Sequence, residues 1–413
     1  MTECMLPDEA IADPRTFTDP AALHALLSRI RQTDPLPYIE AEDYAPFWLV
    51  SRHSDIMEVE RNAAQFINAP RQAMLPLSYE AQARAAAGGR DTQDFMRNLV
   101  LMDGEDHRAY REITQSYFTP KGIQAILGDI EVLARDFIAR MDQREGEVDF
   151  ADVAMAFPLR VIMTMLGVPI EDEPMMMRLT QQTLSSQDPE FQAKGGARAA
   201  MMEMNAYFMK MIAELRQTPK DNLASIIANA RIKGALLPDR DVFGYFNITA
   251  TAGHDTTSYA LTGGMLALLQ HPDELGRLRA DRALMPLAVE EILRWTTPVK
   301  HFCRTAVSDC VVSGKQVKAG DHLLLSFPSG SFDEAIYEDP FTFRIDRRPN
   351  RHLAFGTGPH VCLGQYLARL ELSLFFGELL DRVEHIELAG TPRFVEGSFV
   401  GGVKALPVRY RLR

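Results

Sequence analysis

The chain has 413 residues, of which 46% are hydrophobic and 24% charged, with a formal net charge of -12. That composition supports a large buried core, and the acidic balance excludes the basic field that nucleic-acid binding requires. Four cysteines with no Cys-x-x-Cys pair exclude a disulfide framework and a closely spaced zinc or iron–sulfur site.

The opening Met1-Thr2-Glu3-Cys4 carries no apolar segment of the signal-peptide kind. No apolar run of about 18 residues follows, so no membrane span is expected and the reading is cytoplasmic. The most apolar stretch, Val153 to Val168, is broken by Pro158 and Arg160. Apolar residues at three- and four-residue spacing predict a helix over Ala21 to Thr33, and a strand follows at Pro46 to Ser51. Ala83 to Gly89 reads as a loop, and a helix follows over Lys121 to Arg140. Ala193 to Ala197 is a second Gly-rich loop. A helix over Ala199 to Arg216 comes next. The longest predicted helix is Asp239 to Gln270, capped by Asp239 after Pro238 and stopped by His271-Pro272. Strands then cluster at Cys310 to Val317, His322 to Phe327 and Pro407 to Leu412, with a helix over Leu363 to Val383 between them. Residues 1–413 read as a single domain: mainly α, with a small antiparallel β region.

The sharpest signal is Phe355-Gly356-Thr357-Gly358-Pro359-His360-Val361-Cys362-Leu363-Gly364, with a helical pattern opening just after it. Cys362 then sits at a helix N-terminus, where partial positive charge lowers a thiol pKa and supports a thiolate. Gly356 and Gly358 allow a tight turn close to a flat ligand, Gly364 removes a side chain at the helix start, and Phe355 offers a ring beside the sulfur. Upstream, Glu291 and Arg294 stand three apart on a helix whose Ala288, Ile292 and Trp295 mark a buried side. The middle of the long helix reads Ala252-Gly253-His254-Asp255-Thr256-Thr257, a poor helix interior and so a place where function or a kink is expected. Thr256 can bond back to the carbonyl four residues earlier. His254 reads as a packed or solvent-facing histidine.

These motifs resemble the cytochrome P450 superfamily, whose signature Phe-Gly-x-Gly-x-(His or Arg)-x-Cys-x-Gly is met at all of its fixed positions. The likeness runs from about residue 10 to the end. It implies a triangular helical body with a long central helix and minor antiparallel sheets. It also implies heme b (iron protoporphyrin IX) as cofactor, with Cys362 as its metal ligand. The family's Glu-x-x-Arg pair is Glu291 and Arg294, joined by Arg347. Its acid–alcohol pair is Asp255 and Thr256, for proton delivery and for holding iron-bound oxygen. Heme propionates would be met by His107, Arg111, Arg304 and His360. Ala252 and Gly253 would lie against the heme and, with Thr249, Val299, Phe302, Phe399 and Val400, line the substrate pocket. Two positions depart from the family: Ser331-Phe332-Asp333 stands where Asn-Arg-Asp is common, and Arg344 replaces the acid of Phe-Asp-x-x-Arg. They leave the packing of that region open.

The resemblance implies an oxidoreductase, a ferredoxin-dependent hydroxylase that inserts one atom of O2 into a small hydrophobic substrate. No flavin or nicotinamide motif is present, so electrons come from an iron–sulfur ferredoxin and its reductase. Arg108, Arg347, Arg348 and Arg351 offer a basic docking patch. Thr251 to Thr257, Pro298-Val299-Lys300, Pro349 to Leu353 and Phe399 to Gly402 look most like bacterial terpineol-type members. They point to a monoterpenoid or an alkyl- or aryl-substituted ring. Lys300 and His301 could anchor a carboxylate, or serve structure. Methionines at Met175 to Met177 and Met201 to Met211 could form an adaptable entrance, or pack helices. The rivals are a peroxide-driven peroxygenase and a non-catalytic heme sensor, and the acid–alcohol pair argues against both.

Overall fold

The computed structural model describes residues 7–86, 97–143, 146–192 and 194–413. Helices form where the apolar spacing predicts them. Pro20–Thr33 opens on Asp19, whose carboxylate caps the Ala22 N–H, and it buries Leu23, Leu27 and Ile30. Gly196–Gln217 buries Ala200, Met204, Phe208, Ile212 and Leu215 by the same rule. Phe150–Leu166 is buried on most of its surface, and its Arg160 escapes to Glu173 at 2.7 Å. Among the described residues no helix is long and apolar enough to cross a membrane.

Three expected elements divide. The stretch 239–270 is two helices, Asp239–Ala252 and Asp255–Gln270. Pro238 is the N-cap, while the Asp239 carboxylate pairs with Arg216 instead. A tight tertiary contact lies at the break. A Cβ on Gly253 would lie 2.9 Å from Ile162 Cδ1 and from Thr249 O, so the helix Phe150–Leu166 presses directly on this backbone. Lys121 to Arg140 becomes Pro120–Gln124 and Leu127–Ala139. There the Ala125 and Ile126 N–H groups turn back to Gly122 and Ile123, three residues away. Cys310 to Val317 is a hairpin of Cys310–Val312 and Lys315–Val317. Ser313 and Gly314, at φ 49° and 78°, make the two-residue turn that suits strand twist. Both expected loops are also shortened. The helix Leu77–Ala86 runs through the first part of the Ala83 to Gly89 stretch, and the rest lies outside the described residues. Gly196 and Ala197 already belong to the next helix, and Ala193 lies outside the described residues.

The larger sheet has strand order Tyr38–Ile39, Phe47–Val50, His322–Ser326, His301–Ala306, Phe66–Ile67. Its pairings are antiparallel except Phe47–Val50 with His322–Ser326. A second sheet joins Val383–Leu388, Pro407–Leu412 and Gly146–Asp149, all antiparallel. His301, on the larger sheet, is structural. Its Nε2 accepts from the Met74 N–H at 2.9 Å, and its Nδ1 lies 2.9 Å from Ser398 O. Lys300 is structural too: Nζ donates to Thr296 O and Thr297 O, at 3.0 and 2.9 Å, at the end of the helix Met285–Thr296. The methionines pack. Met176 and Met204 are buried, and Asn247 Nδ2 donates to the sulfurs of Met201 and Met204.

Glu291 and Arg294 form a bidentate pair, 2.8 Å at each contact, with both side chains fully buried. Arg347 donates from Nε to both Glu291 oxygens at 3.2 Å. The Arg344 N–H and Asn350 Nδ2 complete the carboxylate's bonds. The remaining guanidinium protons reach backbone carbonyls: Ser331 and Pro340 for Arg294, and Glu338, Asp339 and Thr342 for Arg347. The departures from the family pattern fit here. The Phe332 ring lies 4.5 Å from the Arg294 guanidinium carbon, Asp333 accepts the His53 N–H, and Arg344 uses only its backbone while its side chain reaches Asp346. Arg347 is 5% exposed and committed to Glu291, so it cannot belong to a docking patch.

Glu291→Ala would strand two buried guanidinium groups. The expected loss is about 3–5 kcal/mol of unfolding free energy, read as a lowered urea midpoint. A midpoint unchanged from the parent protein would show that the cluster does not hold the fold.

Candidate functional site

The cysteine loop runs into the helix Gln365–Arg382, with Gly364 at its N-cap. Gly356 and Gly358 have φ of 63° and 67°, a region side chains rarely adopt. Both lie close to Glu60, and Gly356 also lines the cavity beside the sulfur. A Cβ on Gly358 would lie 2.5 Å from Glu60 O, and one on Gly356 would lie 3.1 Å from Glu60 Oε1. Nothing lies within 4 Å of a Cβ placed on Gly364. The Cys362 N–H donates to Phe355 O at 2.9 Å and closes the loop. The Phe355 ring carries the Arg369 guanidinium at 4.5 Å. The expected lowering of the thiol pKa is reversed. Burial raises the Cys362 thiol by more than the Gly364 N–H and the charges of Arg111 and Arg369 lower it.

Cys362 faces a cavity that encloses about 1470 Å³ of empty space, part of it open to solvent. One wall is the face of the broken central helix. Tyr245, Ile248, Thr249, Ala252, Gly253, Thr256 and Ala260 recur there at helical spacing. Val299 and Phe302 form another wall, and Leu99, Val100 and Phe118 a third. Phe399 and Val400, expected in this lining, stand outside it. Val400 bridges Val299 from behind and packs beside Tyr259, while the Phe399 ring lies 5.5 Å from that of Phe302. They shape the wall without forming it.

The polar margin gathers His107, Arg111, Arg304 and His360. The rings of His107 and His360 stack at 3.9 Å. Burial first, then neighbouring charge, pushes His107 down to about 4 and His360 down to about 2, so both rings are neutral near pH 7. Asn68 Nδ2 lies 3.1 Å from His360 Nδ1. Arg111 donates to Val361 O at 2.7 Å, beside the cysteine. Arg304 is met by a residue the sequence did not flag: Glu60 Oε1 accepts from its Nη2 at 3.1 Å. A second unflagged acid, Glu371, also lines the cavity, and burial pushes the pKa of its carboxyl well up. Both acids had a faint signal. Glu60 stands four residues after the buried Ile56, and Glu371 four after the buried Leu367, each on a core-facing side of its helix.

The acid–alcohol pair divides between two surroundings. Thr256 lines the cavity, and its hydroxyl donates to Ala252 O at 3.0 Å, the back-bond its spacing allows. Asp255 does not line the cavity. It is buried against His254, whose Nδ1 lies 3.0 Å from Asp255 Oδ1 and 3.2 Å from Thr180 Oγ1. Asp255 Oδ2 and His254 Nε2 have no hydrogen-bond partner.

A buried sulfur aimed into apolar space, with two cations and two neutral imidazoles at the margin, fits an iron porphyrin that carries two carboxylates. The comparisons agree. The Cytochrome P450 family model matches residues 78–406. Cytochrome P450-terp of Pseudomonas sp is 38% identical over 410 residues, 96% of this chain and 95% of that relative. A steroid C26-monooxygenase of Mycolicibacterium smegmatis is 33% identical over 394 residues, 93% of this chain and 90% of that one. The crystal structure of CYP108D1 from Novosphingobium aromaticivorans superposes with a TM-score of 0.90 at 40% identity, covering 98% of both chains. That of Mycobacterium marinum CYP268A2 in complex with pseudoionone gives a TM-score of 0.88 at 28% identity, covering 98% of this chain and 99% of that one. The chain belongs to the cytochrome P450 family: it is a monooxygenase whose cofactor is heme b.

Proposed function

We propose that this monooxygenase inserts one atom of O2 into a compact, neutral, hydrophobic substrate, a monoterpenoid or an alkyl- or aryl-substituted ring. Its electrons come from an iron–sulfur ferredoxin and its reductase. The observation that carries the reading is that Cys362 and Thr256 share one cavity whose central-helix wall, Ile248 to Thr256, holds no charged side chain in the lining. The relative named P450-terp and the relative solved with pseudoionone support a small substrate. The steroid monooxygenases supply the competing class.

Heme b, when bound, supplies the activation of O2 for insertion into a C–H bond. The chain's own groups do the rest. Cys362 would hold the iron as a thiolate, its charge supported by the Gly364 N–H, Arg111 and Arg369. His107, Arg111, Arg304 and His360 would hold the propionates. Thr256 Oγ spends its proton on Ala252 O, which leaves its lone pairs facing the cavity to accept a hydrogen bond. Asp255 holds the proton supply one step back. Its unpartnered Oδ2 suits a water that leads to Thr256, since a buried orphan oxygen costs free energy until something bonds it.

The reading is tested first by the carbon monoxide spectrum of the reduced protein, with ligand titration on the same sample. The red-shifted band of thiolate ligation is expected, and Cys362→Ala should lose it. Monoterpenoids should produce the high-spin shift; a response to steroids or fatty acids alone would move the substrate assignment. Asp255→Asn should slow product formation by about 100-fold, the scale of a lost proton donor, with a raised solvent isotope effect and unchanged heme content. Equal rates in the two proteins would remove Asp255 from the relay. Arg108, Arg348 and Arg351 are exposed and, among the described residues, make no ion pair. Changing all three to Gln should cut ferredoxin-supported turnover about tenfold at low salt and flatten its salt dependence. Turnover that stays full and equally salt-sensitive would discard the patch.

A further inference from the structure

Glu60 ends up at the margin of the heme cavity although nothing in the family signature asks for it. It lies in the last turn of the helix His53–Arg61, and its side chain is 2% exposed. One carboxylate oxygen accepts from Arg304 at 3.1 Å, and the other accepts the Thr357 N–H of the cysteine loop at 2.8 Å. It therefore ties the strand His301–Ala306 to the loop that carries Cys362. The charged and titratable groups around it are Arg304 from that strand, His360 from the cysteine loop, and His107 and Arg111 from the helix Gly104–Gln115. Asp103 adds its carboxylate 3.9 Å from His360. Burial pushes the Glu60 carboxyl up to about 7, against the pull of Arg304 and of the Thr357 N–H.

A heme propionate that uses Arg304 arrives at a guanidinium that already holds a carboxylate. Two anions on one buried cation leave an excess negative charge, and like charges at such spacing cannot both stay ionised cheaply. His107 and His360 offer ring nitrogens at the margin, and Arg111 brings the second guanidinium there. Heme brings a second propionate as well, so Glu60 and two propionates set three carboxylates against two guanidinium groups, and a proton on Glu60 restores the balance. We propose that Glu60 is a positioning residue that shares Arg304 with a heme propionate and takes up a proton as heme binds, so that heme is held more tightly below neutral pH than above it. The inference rests on the reading that heme b fills this cavity with a propionate at Arg304. The sign follows from linkage. Binding raises the affinity of Glu60 for its proton, so heme affinity is full at low pH and is lost as pH rises through and above about 7.

The test is the rate at which heme leaves the full-length, heme-loaded protein for excess apomyoglobin, between about pH 6 and pH 8.5, the window in which this linkage acts. Glu60→Gln is the comparison, because an amide mimics the protonated acid in shape and charge. Protonation of the thiolate speeds heme loss at low pH in both proteins, so the informative quantity is the wild-type rate divided by the variant rate. That ratio should be near one at the acid end and rise about tenfold at the alkaline end, one pKa unit of differential binding. A ratio that stays flat with pH overturns the proposal. Glu60→Ala, measured the same way, serves if the amide variant cannot be loaded, and it too should lack the alkaline acceleration. The carbon monoxide band separates the two levels of failure. A flat ratio with the thiolate band intact sinks only the role of Glu60, whereas protein that takes up no heme sinks the site reading and this inference together.

Discussion

The Glu291 carboxylate is the point on which the architecture turns. It accepts from Arg294 on its own helix, from Arg347, from Asn350 and from the Arg344 N–H, and it is fully buried while doing so. Three of these donors lie in the irregular stretch between the larger sheet and the cysteine loop, where few helical or ladder bonds are available. A buried ion pair is not a source of net stability by itself. Its worth here is geometric: it fixes where the chain leaves the core before Phe355, and hence where the Cys362 sulfur arrives. The departures from the family pattern in this stretch are tolerated because the guanidinium nitrogens still find the Glu291 carboxylate or backbone carbonyls and Phe332 offers its ring to Arg294.

The second constraint is the pressure of the helix Phe150–Leu166 on Gly253. With Ile162 against that position there is no room for a side chain at residue 253, and the central helix divides there into Asp239–Ala252 and Asp255–Gln270. The division places the two members of the acid–alcohol pair in different surroundings. Thr256 continues the cavity face set by Tyr245, Thr249 and Ala252, whereas Asp255 turns to His254 and Thr180. The cavity face that carries Thr256 and the buried Asp255 thus lie together just past one crowded position.

What was legible in the sequence follows from how local its cause is. The Leu23, Leu27, Ile30 spacing and the Gly-rich cysteine loop are written in consecutive residues, and so are the helix and the loop that they make. The helix break was legible as poor propensity around Gly253, where function or a kink is expected, but the contact with Ile162, far away in sequence, was not. The thiol's surroundings were misjudged for the same reason. A helix N-terminus is a local feature that lowers its pKa, and burial by the whole fold is a larger one that raises it. Glu60 and Arg347 show the limit most directly. An acid on an amphipathic helix reads as a solvated charge until the fold supplies Arg304, and Arg347, read both as a partner of Glu291 and as part of a surface patch, keeps only the first role once it is buried.

Charge pairing also supports the neutral substrate proposed above. Each buried cation near it is already engaged: Arg304 on Glu60, Arg111 on Val361 O, Lys300 on the helix-end carbonyls of Thr296 and Thr297, and Arg294 on Glu291. Arg111 and Arg304 are moreover the cations a propionate needs. An anionic substrate would have to strip one of these donors and strand its present partner, at the cost of about 1–3 kcal/mol for each polar group left unbonded. A neutral hydrophobic substrate meets no such cost. It gains from covering Ile248, Val299 and Phe302, at roughly 25 cal/mol for each Å² of apolar surface removed from water. On the proposed reading, selection against charge comes from pairs already made around the cavity, and shape along the apolar walls is left to choose among neutral molecules.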